Sequence, residues 1–327
     1  MNAFIRVLRS MLRGLAFAGV APLVLAAPAS ATTIERVVSP GGIEAWLVHE
    51  PAVPLIAIDF AFVGGAVQDP VGKAGTANLV ASLLDEGAGD IDSKTFHERL
   101  ERNAIELAFQ AERDTLRGSL RTLSDNRDEA FEDLRLALTA PRFDPDDIDI
   151  IRAQLLSTLR RASTSPTEMA NLRWWQTAFP AHPYGHPVAG TLESVSAITA
   201  GDLEGYTRHV LARANLKVAV VGDIDADAVK TMLDRIFGAL PAQPELAPVA
   251  DVAPQGLGRR IVVKLDVPQA VVTFGGPGIA RKDPDFMAAY VVNNILGGGS
   301  FSSRLYQEVR EKRGLAYSVY DLSLIHI

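Results

Sequence analysis

One pattern of strand, turn and helix signals occurs twice in this chain of 327 residues, and it constrains the fold more than any other feature. In each copy an apolar, strand-like run precedes a glycine pair, and an Asp-Pro pair precedes a helical run that ends at glycine. The copies cover residues 55–87 and 270–299. The repeat predicts an α+β fold of two homologous domains, each with an antiparallel-rich sheet and helices packed on one face.

The amount of chain around each copy sets the predicted domain boundaries. The first domain is predicted over 32–240 and the second over 255–321, with a proline-rich linker over 241–254. The second domain is much the shorter, so it is predicted to be truncated and to leave apolar surface exposed. Residues 322–327 are interpreted as an artefactual tail that resembles translated adapter sequence; a genuine short apolar C-terminus is the alternative.

Local patterns in the first domain predict individual elements. Alternating apolar residues predict strands over Ile43–Val48 and Leu55–Val63, joined as a hairpin across Glu50-Pro51. Helical spacing of apolar residues predicts a helix over Gly75–Glu86. Thr199 is predicted to open a later helix through a capping box.

The second domain has the same kinds of signal. Strands are predicted over Arg260–Lys264, Ala270–Phe274 and Ala316–Tyr320. A helix is predicted from Asp285 to Leu296, where three glycines stop it.

The first 31 residues have the three-part pattern of a secretory signal peptide. Three arginines precede a short apolar run, and Ala29-Ser30-Ala31 provides small residues at the cleavage site. The apolar run is shorter than the roughly 20 residues that span a bilayer, so cleavage is favoured over a membrane anchor. The pattern predicts a periplasmic protein that has no membrane attachment after cleavage.

Composition excludes several classes of function. Hydrophobic residues make up 48% of the chain and charged residues 22%, as in ordinary globular proteins. The net charge of −7 argues against a nucleic-acid partner. Cysteine is absent, which excludes disulfides, a thiolate nucleophile and cysteine-ligated zinc.

Histidine could still hold a metal, and six are present. His182 and His186 are four residues apart, but the prolines and glycine between and beside them prevent a helix, so the segment is interpreted as a structured loop. His97 is interpreted as a solvated residue. The acidic pair Asp85-Glu86 has no assigned role, and a site there for another metal stays open.

Four segments in order resemble the pitrilysin-type (insulinase-like) zinc metallopeptidases. Gly72–Ser82 resembles the zinc-binding helix of that family, and Gly297–Ser318 closely resembles the signature of its second domain. His182–Gly185 and Val220–Asp223 resemble two further landmarks. The resemblance covers nearly the whole chain after residue 31 and implies the two-domain fold of the family.

The resemblance also implies that the zinc site has been lost. Active members carry H-x-x-E-H on the first helix, where two histidines bind Zn²⁺ and the glutamate is the general base. The corresponding residues here are Asn78 and Ser82 for the histidines, Ala81 for the glutamate and, by spacing, Thr158 for the third ligand. The chain is therefore expected to bind no metal and to have no catalytic residues of its own.

The second-domain signature is intact, and it implies a role in substrate binding. In the family an Arg/Tyr pair, here Arg310 and Tyr317, donates hydrogen bonds to the peptide substrate. The glycines Gly297, Gly298 and Gly299 correspond to a flexible loop near bound peptide. The alternative is that Arg310 joins a surface charge cluster and that Tyr317 is an ordinary strand residue.

Taken together, loss of the zinc residues and retention of the Arg/Tyr pair predict an inactive subunit. A homologous catalytic subunit would supply the zinc, and the resulting heterodimer would degrade peptides. Whether the chain is an enzyme by itself is left uncertain. Two alternatives remain: a non-enzymatic peptide-binding or scaffold protein, and a metallopeptidase with an unrecognised site.

Overall fold

The computed structural model describes residues 33–321. Within them, a six-stranded mixed sheet carries its helices on one face. The strands are β1 (Glu35–Val38), β2 (Glu44–His49), β3 (Leu55–Val63), β4 (Glu106–Ala111), β5 (Thr115–Leu123) and β6 (Leu216–Gly222). The predicted signal peptide and the predicted tail lie outside the described residues.

Nine α-helices are present in the described residues. They are α1 (Thr76–Ala81), α2 (Ser93–Arg102), α3 (Arg127–Thr139), α4 (Pro145–Ala162), α5 (Pro166–Ala178), α6 (Leu192–Ala197), α7 (Ala200–Val210), α8 (Ala226–Phe237) and α9 (Phe286–Asn293). None of the helices within residues 33–321 combines the length and apolarity needed to cross a bilayer.

The order of strands corrects the predicted hairpin. The sheet runs β1-β2-β6-β3-β5-β4, so β6 lies between β2 and β3. β2 pairs with β6 in parallel, and β3 pairs with β6 antiparallel. Because β6 is far from β2 and β3 in the sequence, the local pattern near Glu50-Pro51 could not reveal that it lies between them.

Alternation along the strands explains why only one face is covered. In β3, Ile56, Ile58, Phe60 and Phe62 are buried beneath the helices, whereas the residues between them face outward. The buried set forms one hydrophobic core with residues from the helices. The α+β class and the helices on one face are thus confirmed for residues 35–240.

The C-terminal residues do not form the second sheet that the sequence predicts. The predicted strands at 260–264, 270–274 and 316–320 are absent from the described residues, although α9 lies within the predicted helix. A strand requires a hydrogen-bonding neighbour, and these segments pair with none of the described strands. Their large apolar side chains, such as Phe274 and Val272, are mostly exposed.

Candidate functional site

Helix α1 and the residue that caps its end carry three of the four predicted zinc-site positions. The helix begins after Gly75, whose φ of 97° lies in the left-handed region that favours glycine. The carboxylate of Asp69 accepts hydrogen bonds from the N–H groups of Gly75 (2.7 Å) and Ala77 (2.8 Å). Burial raises the pKa of Asp69 to about 7 in spite of these bonds. Asp69 therefore holds the start of the helix in place.

The helix is shorter than predicted, since it ends at Ala81 rather than Glu86. Beyond it the backbone tightens into turns, in which the N–H of Leu83 donates to the carbonyl oxygen of Val80 at 2.9 Å. The hydroxyl of Ser82 donates to the carbonyl oxygen of Asn78 at 2.9 Å. This side-chain bond competes with the helical pattern at that position.

The four positions offer a poor set of zinc ligands. Ala81 is buried and has no polar side-chain atom, and the Ser82 hydroxyl is already bonded to the backbone of Asn78. Thr158 lies on α4, which contacts α1, and its hydroxyl accepts a hydrogen bond from the guanidinium of Arg161 at 2.9 Å. A cation beside the fourth position further disfavours Zn²⁺. The residues present do not fit the metal.

The loop before α1 is tied to the start of α6 and α7. The Ser194 hydroxyl donates to the carbonyl oxygen of Ala74 at 2.7 Å, and the ammonium of Lys73 lies 3.2 Å from Asp202. Thr199 and Asp202 form the predicted capping box, which is confirmed. The backbone around the altered zinc positions is thus ordered even though the ligands are gone.

The acidic pair at the end of this region lies beside His97. Burial raises the pKa of Asp85 to about 6. Glu86 accepts a hydrogen bond from the Ser93 hydroxyl at 2.5 Å, and the Nδ1 atom of His97 lies 3.9 Å from it. Within the described part of the chain, no group of three or more histidine and acidic residues is arranged to hold a metal ion.

The structure brings the predicted Arg/Tyr pair together. The guanidinium carbon of Arg310 lies 4.7 Å from the ring centre of Tyr317 and 4.9 Å from that of Tyr306. Tyr317 is 85% exposed, so its hydroxyl is accessible to a ligand. Tyr306 was not identified by sequence reasoning, although its spacing four residues before Arg310 is the one that joins side chains on a helical turn.

The neighbouring charges are paired without Arg310. Glu308 accepts hydrogen bonds from Lys312 at 2.5 Å and Arg313 at 2.7 Å. These bonds lower the pKa of Glu308 to about 2. Arg310 instead stacks on the tyrosines, which leaves its charge free of a carboxylate partner among the described contacts.

The three glycines lie in a wide helical turn over Asn294–Gly298 and at its end. Gly297 is buried, and a Cβ there would lie 2.6 Å from the backbone nitrogen of Asp321. The N–H of Gly299 donates to the carbonyl oxygen of Asn294 at 2.8 Å. At least Gly297 is thus required for close packing.

An aromatic cluster surrounds the His182–Gly185 loop, and it was not recognised from the sequence. The guanidinium of Arg113 lies 3.5 Å from the ring centre of Trp175, and the hydroxyl of Tyr184 donates to Asp114 at 3.0 Å. Burial, followed by Asp114, raises the pKa of Tyr184 to about 12. The interpretation of His182 as part of a structured loop is confirmed by the short 3₁₀ turn Pro183–Gly185.

Comparison with known proteins finds similarity to one family of peptidases. The family profile described as "Peptidase M16 inactive domain" matches residues 197–320. The chain is 30% identical to the non-peptidase homolog YmxG of Helicobacter pylori, over 82% of this chain and 62% of that protein. It is 32% identical to an uncharacterized zinc protease of Streptomyces coelicolor, over 88% of this chain and 64% of that protein. Residues 197–320 thus resemble the M16 family, and most of the chain resembles these two proteins.

Solved M16 structures share the fold. A peptidase M16 inactive domain from Pseudomonas fluorescens superimposes with a TM-score of 0.76 at 28% identity, covering 88% of this chain and 70% of that one. Pitrilysin superimposes with a TM-score of 0.61 at 18% identity, covering 70% of this chain and 25% of pitrilysin, which shows likeness of fold alone. The chain spans less than two thirds of the two curated relatives described above.

Proposed function

We propose that this chain is a catalytically inactive subunit of a periplasmic, heteromeric pitrilysin-type zinc peptidase. The observation that carries the proposal is the chemistry on α1 and α4. Neither an imidazole nor a carboxylate is present at the four positions, Asn78, Ala81, Ser82 and Thr158. The positively charged guanidinium of Arg161 also lies beside Thr158, to which it donates a hydrogen bond. Zinc-dependent hydrolysis requires both ligands and a general base, so the chain is expected to bind no zinc.

The catalytic half would come from a homologous subunit that carries H-x-x-E-H, the third glutamate and the zinc. This chain would contribute Arg310 and Tyr317. A guanidinium and a phenol can both donate hydrogen bonds to a peptide carbonyl, and such donors stabilise an oxyanion as it develops. The stacking of Arg310 on Tyr306 and Tyr317 supports this role, because it fixes the guanidinium beside an exposed hydroxyl.

We further infer that residues 255–321 belong to a second α+β domain, homologous to the first. Two observations support this. The family profile runs through to residue 320. Many large apolar residues of 260–296 are exposed, and a sheet with packed helices would bury them.

A second candidate is a peptide-binding protein with no catalytic partner. The name of the Helicobacter pylori relative, a non-peptidase homolog, favours it. In that case Arg310 and Tyr317 would be a relic or would hold peptide without cleavage.

Reconstitution of the two subunits distinguishes these candidates. The mature chain, with added zinc and a pool of fluorogenic peptides, is assayed alone and then with a homologue that carries H-x-x-E-H. We expect no turnover from the chain alone and turnover from the mixture well above that of the homologue. Arg310→Ala and Tyr317→Phe should each lower the turnover of the mixture at least tenfold, since each removes a transition-state donor.

Matched controls are Arg304→Ala and Tyr320→Phe, which change exposed residues of the same types in the same region. If the controls reduce turnover as much as the test variants, the Arg/Tyr role is wrong. Unchanged turnover in all four variants would also show that the Arg/Tyr role is wrong, whereas a mixture no more active than the homologue alone favours the peptide-binding candidate. Turnover or stoichiometric zinc in the purified chain alone would overturn the proposal.

A further inference from the structure

The linker that was predicted over 241–254 is tied to the sheet domain along its length. Residues 241–254, here called the strap, include four prolines, and most of their side chains are exposed. Proline stiffens an extended chain but does not by itself attach it to a surface. Hydrogen bonds and one apolar contact provide the attachment.

Backbone bonds hold the first part of the strap. The N–H of Arg213 donates to the carbonyl oxygen of Pro241 at 2.9 Å. The N–H of Glu245 donates to the carbonyl oxygen of His209 at 2.8 Å. These bonds place the strap against the end of α7 and the start of β6.

Gln68 holds the middle of the strap. Its side-chain oxygen accepts from the N–H of Ala247 at 2.8 Å, and its side-chain nitrogen donates to the carbonyl oxygen of Ala247 at 3.1 Å. One amide side chain thereby satisfies both backbone groups of one residue, as a neighbouring strand would. Beside it, Leu246 packs against the hydrophobic core, and its side chain lies over Gly64.

His182 holds the next part. Its Nδ1 atom lies 3.2 Å from the backbone nitrogen of Tyr184, and its Nε2 atom lies 3.0 Å from the carbonyl oxygen of Ala250. A backbone N–H can only donate, so Nδ1 accepts and Nε2 carries the proton that is donated to Ala250. The two partners select one tautomer of the imidazole.

Beyond the strap, the C-terminal segment lies against helix α5. The N–H of Gln255 donates to the carbonyl oxygen of Ala178 at 2.8 Å. Further along, a Cβ at Gly275 would lie 2.8 Å from the ring of Trp174. The residues that follow the strap therefore lie against α5, a helix of the sheet domain.

We propose that Gln68 and His182 are positioning residues, which fix the strap and through it set the location of the segment that carries Arg310 and Tyr317. Both act on backbone groups of the strap and lie far from Arg310 in the sequence. The importance of this placement for peptide binding rests on the proposed function; the fixation of the strap does not.

A distance measurement tests the proposal. Because the chain has no cysteine, Thr231→Cys on α8 and Met287→Cys on α9 give two unique sites for spin labels. Double electron–electron resonance should give one narrow distance distribution in this labelled parent. Adding Gln68→Ala and His182→Ala together should broaden it or shift its centre.

The matched controls are Gln110→Ala and His186→Ala, which change exposed residues of the same types. They should leave the distribution narrow. A distribution that stays narrow and keeps its centre in the Gln68→Ala, His182→Ala variant, or one that is already broad in the parent, would overturn the proposal.

Hydrogen exchange supplies a second readout that does not depend on the labels. In Gln68→Ala, the amide of Ala247 should exchange about tenfold faster, as expected when a single hydrogen bond is lost, while core amides of β3 keep their protection. Unchanged exchange at Ala247 would contradict the role of Gln68. Neither measurement uses peptidase activity, so failure of the proposed function would leave both results intact.

Discussion

The sheet domain over 35–240 and the segment over 255–321 are built from similar sequence patterns, yet only the first buries its apolar residues. Phe62 in β3 is fully buried, whereas Phe274 is 79% exposed. Both lie in apolar runs that alternation identifies as strands. The difference indicates that an apolar run becomes a strand only where another strand pairs with it, as β5 and β6 pair with β3.

The largest expected effect sharpens this contrast. Phe62→Ala should lower the free energy of unfolding by about 3–5 kcal/mol, because it leaves a cavity in a packed core. Phe274→Ala should change it by less than about 0.5 kcal/mol, as is usual for exposed positions. Urea denaturation followed by circular dichroism measures both. Equal effects would mean that 255–321 is packed as well as the sheet domain.

A smaller effect concerns pH. Burial raises the pKa of Asp133 to about 6, although Arg99 lies 2.8 Å away. The folded state then holds its proton more tightly than the unfolded state, so the stabilisation is complete below about pH 4 and is lost as the pH rises through about 6. The loss should be about 3 kcal/mol. Asp133→Asn should flatten the dependence of unfolding free energy on pH between 4 and 7.

In the C-terminal segment, one carboxyl group should make stability depend on pH in the opposite direction. The pKa of Glu308 is lowered to about 2 by hydrogen bonds from Lys312 and Arg313. Any stabilisation from this group is present above the unfolded pKa near 4.5 and is lost as the pH falls toward 2. Nuclear magnetic resonance titration of the Glu308 carboxyl carbon should show a midpoint well below the usual range for a glutamate. A midpoint in the usual range would show that the ion pairs do not persist in solution.

The smallest expected effect on stability is at the proposed binding pair. Arg310→Ala removes cation–π contacts to Tyr306 and the exposed Tyr317, and such exposed contacts contribute about 0.5–1 kcal/mol. The thermal midpoint should therefore move little, even where turnover of a reconstituted complex falls. A large destabilisation would assign Arg310 a structural role instead.

Sequence patterns predicted local elements of the sheet domain better than their arrangement. The strand Leu55–Val63 was predicted at its observed bounds, because amphipathic periodicity is a local property. The insertion of β6 between β2 and β3 was missed, since nothing near β2 encodes a parallel neighbour from the far end of the domain.

In the candidate site, too, some features could be predicted from the sequence and others could not. The substitutions at Asn78, Ala81 and Ser82 are visible in the sequence because their spacing within one helix is fixed. Two hydrogen bonds were not predicted: that from Arg161 to Thr158, which depends on side-chain geometry, and that between Gln68 and Ala247, which joins distant segments. Residue types alone do not reveal such contacts.

The place of β6 in the sheet also determines the order in which the sheet domain can be completed. The strand that joins its two halves is the last of the six to be synthesised. Until it arrives, β2 and β3 each present an unpaired inner edge, and the pairs β1–β2 and β3–β5 cannot form a continuous sheet. Closing long loops before their contacts stabilise the chain slows folding. Folding of this domain therefore has a built-in delay, during which two strand edges are open to other chains.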